Sequence, residues 1–282
     1  MNAFTADWLR LREAADVAAR SSPDAKALAR SFAAAARGGR DRGLVKLVDL
    51  AGGTGANVRF LALQVPGSQA WTVADADADL LAELDAESRA WARRVSWQVR
   101  DRGDSLELGS LQRVIRIAGR QHDLTDLENF DLACDGVTAS ALLDLVSAAW
   151  LDALVAKVAA AGIPALFALT VDGRADWTPA REDDGAVMDA FWRDMARDKG
   201  FGPALGPSAV AYAETAFRHA GYVVETAPSD WHLSAGPLLT AVVDGISSAV
   251  GADAWAAARR AQAGDGTLAL TLGHTDLLAL PG

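Results

Sequence analysis

Glycines and acids at regular spacing are the residues of this chain best suited to ligand chemistry. A short apolar run ends at Asp49, and the turn at 51–55 contains three glycines before a helical pattern begins at Ala56. A strand, a glycine turn and a helix in this order bring a ligand close to the N–H groups at the helix N-terminus. Gly53 and Gly55 carry no Cβ atom that would block such an approach. We interpret the turn as the floor of a nucleoside-cofactor site.

Two further acids stand where the ends of neighbouring strands are expected. Asp75 closes the second apolar run, and Asp123 follows the third. In a doubly wound sheet the carboxyl ends of parallel strands meet at one edge, where an acid can accept hydrogen bonds from ribose hydroxyls. A dinucleotide site prefers a third glycine in the turn, but Val58 occupies that position, and extra acids are unfavourable near a pyrophosphate. The pattern therefore favours S-adenosylmethionine over NAD as the cofactor.

The segment from Val48 to Gly55 resembles the first motif of the class I, Rossmann-like S-adenosylmethionine-dependent methyltransferases. Ala51 stands where that motif usually has its first glycine. The resemblance covers residues 44–172 by motif, and the two ends of the chain are more loosely similar to a group of bacterial methyltransferases without a firm substrate. It implies S-adenosyl-L-methionine as cofactor, with the methionine part held by the turn, ribose by Asp75 and adenine by residues 122–124. The implied cofactor-binding residues are Asp49, Ala51, Gly53, Gly55, Asp75, Ala76, His122, Asp123, Leu124 and Ser140.

The order of apolar runs and helical patterns predicts an α/β fold built on a doubly wound, Rossmann-like sheet of about seven strands. The resemblance implies that the last strand, expected at residues 267–272, is antiparallel. We expect a single methyltransferase domain over residues 1–282. Its parts are an N-terminal helical cap at 1–39, a cofactor-binding half at 43–172, a lid insertion at 173–207 and the C-terminal half of the sheet at 208–282.

Methyl transfer from a sulfonium needs an in-line approach and the exclusion of water more than it needs acid–base chemistry. We expect an enzyme that transfers the methyl group to an oxygen or nitrogen of a small-molecule acceptor. Residues that follow strands, or that belong to the cap and lid, are the candidates for contact with the acceptor. The candidate catalytic residues are His232, as a general base, and Asp172. The candidate substrate-binding residues are Trp8, Arg12, Trp177, Lys199 and Trp231.

Several alternatives stay open at this point. The glycine turn and Asp75 also fit an NAD(P)-binding oxidoreductase, and a non-catalytic S-adenosylmethionine-binding protein would keep the same pocket. Arg12, Asp16 and Arg20 lie on one helical face, which fits either a surface ion-pair ladder or a lid that touches a ligand. Because the last strand is expected to be antiparallel, His274 is expected at the opposite end of the sheet from the cofactor.

The composition disfavours several kinds of partner. A formal net charge of −10 repels phosphate backbones, so nucleic acid is not expected. No apolar stretch approaches the ~20 residues that cross a bilayer, and no signal peptide is expected. The single cysteine, Cys134, excludes an internal disulfide and a cysteine zinc cluster, and it favours a reducing cytoplasm. No metal is expected, and the oligomeric state stays open.

Overall fold

A mixed sheet forms the centre of the chain in a computed structural model, which describes residues 5–38, 43–110 and 113–282. Ten strands are assigned within these residues: β1 (Val45–Leu50), β2 (Gln69–Asp75), β3 (Gln98–Asp101), β4 (Leu106–Ser110), β5 (Arg113–Gln121), β6 (Gly136–Ser140), β7 (Ala165–Thr178), β8 (Tyr222–Pro228), β9 (Trp231–Ser234) and β10 (Ala269–Pro281). Their order is β3-β4-β5-β2-β1-β6-β7-β10-β8, and β9 pairs with β10. The central strands β5, β2, β1, β6 and β7 are parallel, whereas β10 is antiparallel to β7, β8 and β9.

Helices cover both faces of this sheet. Those within the described ranges are α1 (Ala6–Ala19), α2 (Pro23–Arg37), α3 (Ala56–Gln64), α4 (Ala78–Arg94), α5 (Ala148–Ala161), α6 (Asp184–Met195), α7 (Ala209–His219), α8 (Pro237–Val250) and α9 (Asp253–Gly264). One apolar core joins α2, α3 and α4 to the sheet, and a second joins α5 and α7 to its other face. Residues of β1 and β6 are buried almost throughout, as expected of central parallel strands. The predicted doubly wound α/β fold and its antiparallel last strand are confirmed.

The strand count exceeds the predicted seven for two reasons. The polar turn at 102–104 closes an antiparallel hairpin of β3 and β4, which extends one edge of the sheet. At the other side the short strand β9 pairs with the first half of β10. Within the described ranges, no helix combines the length and the apolar character that a bilayer crossing requires.

The helix α2 of the N-terminal segment is capped at both ends. Ser22 Oγ accepts a hydrogen bond from Ala25 N at 3.1 Å, and Pro23 opens α2, so the helix start is capped. Gly38 ends α2 with a left-handed φ of +55°, and the neighbouring Gly39 lies outside the described residues. In α1, by contrast, Arg12 is the buried residue, so polar contacts hold this helix against the molecule more than an apolar face does.

The segment 173–207 differs from the single irregular insertion that its sequence predicts. β7 continues to Thr178 and pairs there with β10, which begins at Ala269 and is much longer than the predicted strand. This extension buries one of its faces in a third apolar core with α6, α8, α9 and β9. Antiparallel strands are often buried on one face only, so polar and apolar residues alternate along them. This alternation differs from the continuous apolar run of a central parallel strand. Residues far apart in sequence therefore build the layer above this edge of the sheet.

Candidate functional site

In the turn after β1, the positions of Gly52 and Gly55 leave no room for a side chain. A Cβ atom on Gly52 would lie 2.6 Å from Asp49 Oδ2, and one on Gly55, whose φ is +80°, would collide with Leu84 Cδ1. Ala51 also has a positive φ of +50°, a conformation that costs an L-residue about 1–2 kcal/mol. The turn is thus held close to the side chains below it, and its upper surface is backbone.

Asp49 lies beneath this turn and is completely buried. Asn57 Nδ2 donates a hydrogen bond to Asp49 Oδ1 at 2.6 Å, while Asp49 Oδ2 has no hydrogen-bond partner in the described part of the chain. Burial raises the pKa of Asp49 to about 7, against the lowering effects of Asn57 and of the Arg20 charge. A buried carboxylate that lacks part of its hydrogen bonding is a favourable neighbour for a cation.

Arg20 is the buried cation nearest to this carboxylate network. Its Nη1 donates a hydrogen bond to Asn57 Oδ1 at 2.7 Å, and its Nε lies 3.4 Å from Asp276 Oδ2. Its guanidinium carbon lies 4.2 Å from the centre of the Phe60 ring. Arg20 Nη2 is buried and has no hydrogen-bond partner among the described residues. A guanidinium nitrogen left in this state fits a carboxylate ligand.

A cavity of about 280 Å³ lies on the turn. Its lining joins Asp75, Asp77 and Asp123 at the ends of neighbouring strands to Arg12 and Arg20 of the cap. Asp75 Oδ2 accepts a hydrogen bond from Gly53 N at 2.8 Å, and its Oδ1 accepts one from Asp77 N at 2.9 Å. Both oxygens keep a lone pair for a ligand hydroxyl, and burial raises the pKa of this carboxyl.

Most of the predicted cofactor-binding residues meet in this cavity. Those that line it are Ala51, Gly53, Asp75, Ala76, Asp123, Leu124 and Ser140. Asp123 Oδ1 accepts hydrogen bonds from the backbone N–H and hydroxyl of Thr125 at 2.9 and 2.8 Å, which lower the pKa of Asp123. Asp49 and Gly55 lie below the lining. His122 is absent from the lining, with Nε2 2.9 Å from Asp126 O and its ring packed against Phe130.

The predicted substrate-binding residues are divided between two places. Arg12 lines the cavity, and its guanidinium lies 5.0 Å from the ring of Trp231, which packs behind it. Trp8 and Trp177 pack instead in or against the third apolar core, where Trp177 meets Trp255 edge-on. Lys199 lies 3.4 Å from Asp194 Oδ2, outside the cavity lining. Of these side chains, Arg12 alone is part of the lining.

Neither predicted catalytic residue reaches the cavity. Side chains alternate along β9, so Trp231 points inward and His232 points to solvent, with Nδ1 3.2 Å from Thr271 Oγ1. Asp172 accepts a hydrogen bond from Arg174 Nε at 3.0 Å within the extended part of β7. The strand that Asp172 was expected to follow continues past it, and its carboxylate pairs with Arg174 instead of lining the cavity. No cluster of three or more His, Cys, Asp or Glu side chains able to hold a metal occurs in the described ranges.

His274 lies at the cofactor edge of the sheet, so its predicted place at the opposite end is wrong. It pairs in register with Val171, is buried, and its ring centre lies 5.1 Å from that of Trp231. Burial, and then the charge of Arg12, lower the pKa of His274 to about 4. The apolar run at 277–280 already indicates that the last strand continues well beyond residue 272, and this signal could have located His274.

The cavity lining also contains Asn57, which the sequence analysis did not single out, and Asp16 and Arg20, for which it left two interpretations open. Asp16 accepts hydrogen bonds from Arg12 Nε at 3.0 Å and from Trp231 Nε1 at 3.0 Å, and burial raises its pKa. The helical spacing of Arg12, Asp16 and Arg20 was visible, but the same spacing occurs in surface ion-pair ladders. Here all three lie against the cavity, which supports the lid interpretation of this face.

No protein-family model matches the sequence, and neither does any curated protein. Among solved structures, the chain is similar to the YcgJ protein of Bacillus subtilis at 10% identity, over 89% of this chain and 98% of that one, with a TM-score of 0.47. A methyltransferase from Geobacter sulfurreducens bound to S-adenosylhomocysteine is 14% identical over 93% and 92%, with a TM-score of 0.45. A magnesium protoporphyrin IX methyltransferase from Synechocystis with bound S-adenosylmethionine is 9% identical over 99% and 100%, with a TM-score of 0.43.

Proposed function

We propose that this protein transfers a methyl group from S-adenosyl-L-methionine to an oxygen or nitrogen of a small-molecule acceptor. One observation carries the proposal. The same cavity is lined by Asp75, an acid positioned to bind a ribose, and by the buried and partly unpaired guanidinium of Arg20. A ligand that fills both ends needs a ribose at one and an anionic group at the other. S-adenosylmethionine has both, since its ribose is joined through a sulfonium to an amino acid.

The charges around the turn match the amino-acid end of this cofactor. Arg20 Nη2 would bind the α-carboxylate, and Asp49 beneath the turn provides a negative potential for the α-ammonium and the sulfonium. Asn57 holds the two together, because it donates to Asp49 and accepts from Arg20. A diphosphate in the same place would meet a buried carboxylate, which makes the NAD(P) alternative unfavourable.

The bound cofactor supplies an electrophilic methyl carbon, and the residues of the chain position it and exclude water. α1 closes the cavity from above, where Leu9, Glu13 and Val17 line it. Its position is fixed by ion pairs to the body of the protein, including Arg59 Nη2 to Glu13 Oε2 at 2.7 Å. The acceptor would approach between the cap and the apolar side chains of Leu169 and Phe201.

Calorimetric titration with two related ligands tests the proposal. S-adenosylhomocysteine carries the amino-acid part, and 5′-methylthioadenosine has the same nucleoside without it. Arg20→Met should weaken the binding of S-adenosylhomocysteine by about 10- to 100-fold, because the charge-assisted hydrogen bond between the guanidinium and the α-carboxylate is lost. The same change should leave the affinity for 5′-methylthioadenosine nearly unchanged, which also shows that the variant is folded.

Arg30→Met is the matched control, because Arg30 lies on the exposed side of α2 and is not part of the cavity lining. It should bind both ligands like the wild type. Equal losses for both ligands in Arg20→Met, or binding of NADH without binding of S-adenosylhomocysteine, would contradict the proposed cofactor. Incubation with radiolabelled S-adenosylmethionine and cell extract distinguishes an enzyme from a non-catalytic binding protein. On the basis of its single cysteine, we further propose that the protein works in a reducing cytoplasm.

A further inference from the structure

A bulge in β7 brings one buried carboxylate into contact with the cavity lining. Two residues of β7, Ala168 and Leu169, lie opposite the single residue Asp276 of β10. Such a bulge leaves its extra residue without a partner in the strand ladder. Leu169 lines the cavity and has a left-handed φ of +54°, and its N–H donates a hydrogen bond to Asp276 Oδ1 at 2.8 Å. The side chain of Asp276 therefore takes the place of a ladder partner at this point.

The second oxygen of Asp276 faces Arg20, another residue of the lining. Asp276 is 1% exposed, and Ser229 Oγ donates a second hydrogen bond to Oδ1 at 2.6 Å. Two donors at Oδ1 fix the rotation of the carboxylate, and Oδ2 lies 3.4 Å from Arg20 Nε. Both side chains of this ion pair are buried, where a charge that loses its counter-charge is strongly unfavourable.

Two other acids compete with Asp276 for Arg20. Although burial raises the pKa of Asp16 and of Asp49, the charge of Arg20 lowers both, so each lies within its electrostatic reach. In the structure, Nε faces Asp276 and Nη1 donates to Asn57. The planar group is thus held through two of its three nitrogens, and Nη2 is the one left without a partner among the described residues.

We propose that Asp276 is a positioning residue for cofactor binding, which holds Arg20 so that Nη2 faces the α-carboxylate of the cofactor. This inference rests on the proposed function. Asp276 is absent from the cavity lining, so it acts through Arg20 and not by touching the ligand. Without the charge of Asp276, the guanidinium turns toward Asp16 or Asp49, and the ligand has to draw it back. This cost falls on ligands that carry the carboxylate and spares the nucleoside part.

Calorimetric titration of S-adenosylhomocysteine and 5′-methylthioadenosine into Asp276→Asn tests the assignment. The change keeps the size of the side chain and an oxygen for Leu169 N, but it removes the charge that faces Arg20. It should weaken the binding of S-adenosylhomocysteine by about tenfold and leave the affinity for 5′-methylthioadenosine nearly unchanged. In the Arg20→Met background, the same change should cause no further loss, because the residue through which it acts is gone.

Asp230→Asn is the matched control. Asp230 also accepts a hydrogen bond from a backbone N–H of β10, that of His274, and also pairs with an arginine, but its partner Arg174 is absent from the lining. This variant should bind both ligands like the wild type. Asp276→Glu keeps the charge and should retain more of the affinity for S-adenosylhomocysteine than Asp276→Asn does.

The outcomes separate a positioning role from a structural one. Equal losses for both ligands, an unchanged affinity for S-adenosylhomocysteine, or an undiminished further loss in the Arg20→Met background would overturn the assignment. If Asp276→Asn does not fold, the two affinities of Asp276→Glu are compared with those of the wild type under the same criteria. The wild type is titrated first. If it binds neither ligand, the proposed function fails together with this inference, whereas normal binding by the wild type lets this inference fail alone.

Discussion

The change Asp49→Asn tests whether the carboxylate beneath the glycine turn stores unfavourable free energy in the unliganded protein. Asp49 is completely buried and its Oδ2 has no hydrogen-bond partner within the described residues. Desolvation dominates the effects on its pKa, with Asn57 and Arg20 lowering it and the neighbouring Asp75 raising it. The folded protein therefore binds a proton at Asp49 more tightly than the unfolded chain does.

The sign and the size of the effect follow from this difference. Between the ordinary value of 3.8 and the folded value of about 7, the folded state holds more protons, so the free energy of unfolding falls as the pH rises through that window. A shift of ~3 pKa units corresponds to about 4 kcal/mol at 1.36 kcal/mol per unit. Asparagine cannot ionise, so this loss is absent in the variant, although its amide leaves one buried donor unpaired at a cost of about 1–3 kcal/mol.

Urea unfolding of both proteins at several pH values measures the prediction. The stability of Asp49→Asn relative to the wild type should rise by about 2–4 kcal/mol from about pH 5 to about pH 8.5. The same variant should bind S-adenosylhomocysteine about tenfold more weakly, because the negative charge facing the α-ammonium is gone. Parallel stability curves across this range would refute the reasoning, since they would mean that Asp49 titrates at its ordinary pKa in the folded protein.

Three further substitutions, one of them with a control substitution elsewhere in the chain, test other parts of the reasoning. Asp75→Ala should weaken S-adenosylhomocysteine binding by about 10- to 100-fold in calorimetry through the loss of ribose hydrogen bonds, and an unchanged affinity would remove the ribose assignment. Gly52→Ala places a methyl group 2.6 Å from Asp49 Oδ2 and should lower the free energy of unfolding by about 1–3 kcal/mol, whereas Gly185→Ala, with open space around it, should raise it by about 0.5–1 kcal/mol. His232→Ala should leave the affinity for S-adenosylhomocysteine unchanged, and a clear loss would place this side chain nearer the cofactor than the solvent face of β9.

The cavity lining at the ends of the strands could be predicted because its signals are local. Asp75 and Asp123 are found from the ends of apolar runs, and glycines in the turn are visible by type. The parallel sheet then brings these strand ends to one edge, whatever the details of packing. Leu124 and Ser140, which the resemblance implied as cofactor-binding residues, also line the cavity. Local patterns are sufficient where the fold itself brings the residues together.

The cavity lining around Arg20 depends on contacts between distant segments. Arg20 follows α1 and reaches Asn57 of α3 and Asp276 of β10, positions separated by most of the chain. No spacing rule connects these residues, since the angle at which α1 packs across the sheet edge decides which of its arginines is buried. A sequence pattern therefore identified a charged face on this segment without showing that Arg20 and Asp16 line the cavity.

The observed positions of His232 and His274 show why residues on the acceptor side were the hardest to predict. His232 follows the sheet edge in sequence, but one position along a strand changes the face to which a side chain points, and Trp231 takes the inner face. His274 was excluded because a strand ending near residue 272 would leave it at the far end of the sheet. The strand instead starts at Ala269 and runs to Pro281, so the same antiparallel direction brings His274 to the cofactor edge. An error of a few residues in the predicted strand bounds thus reverses the conclusion about His274. The position of the glycine turn carries no such error, because its residue types fix it.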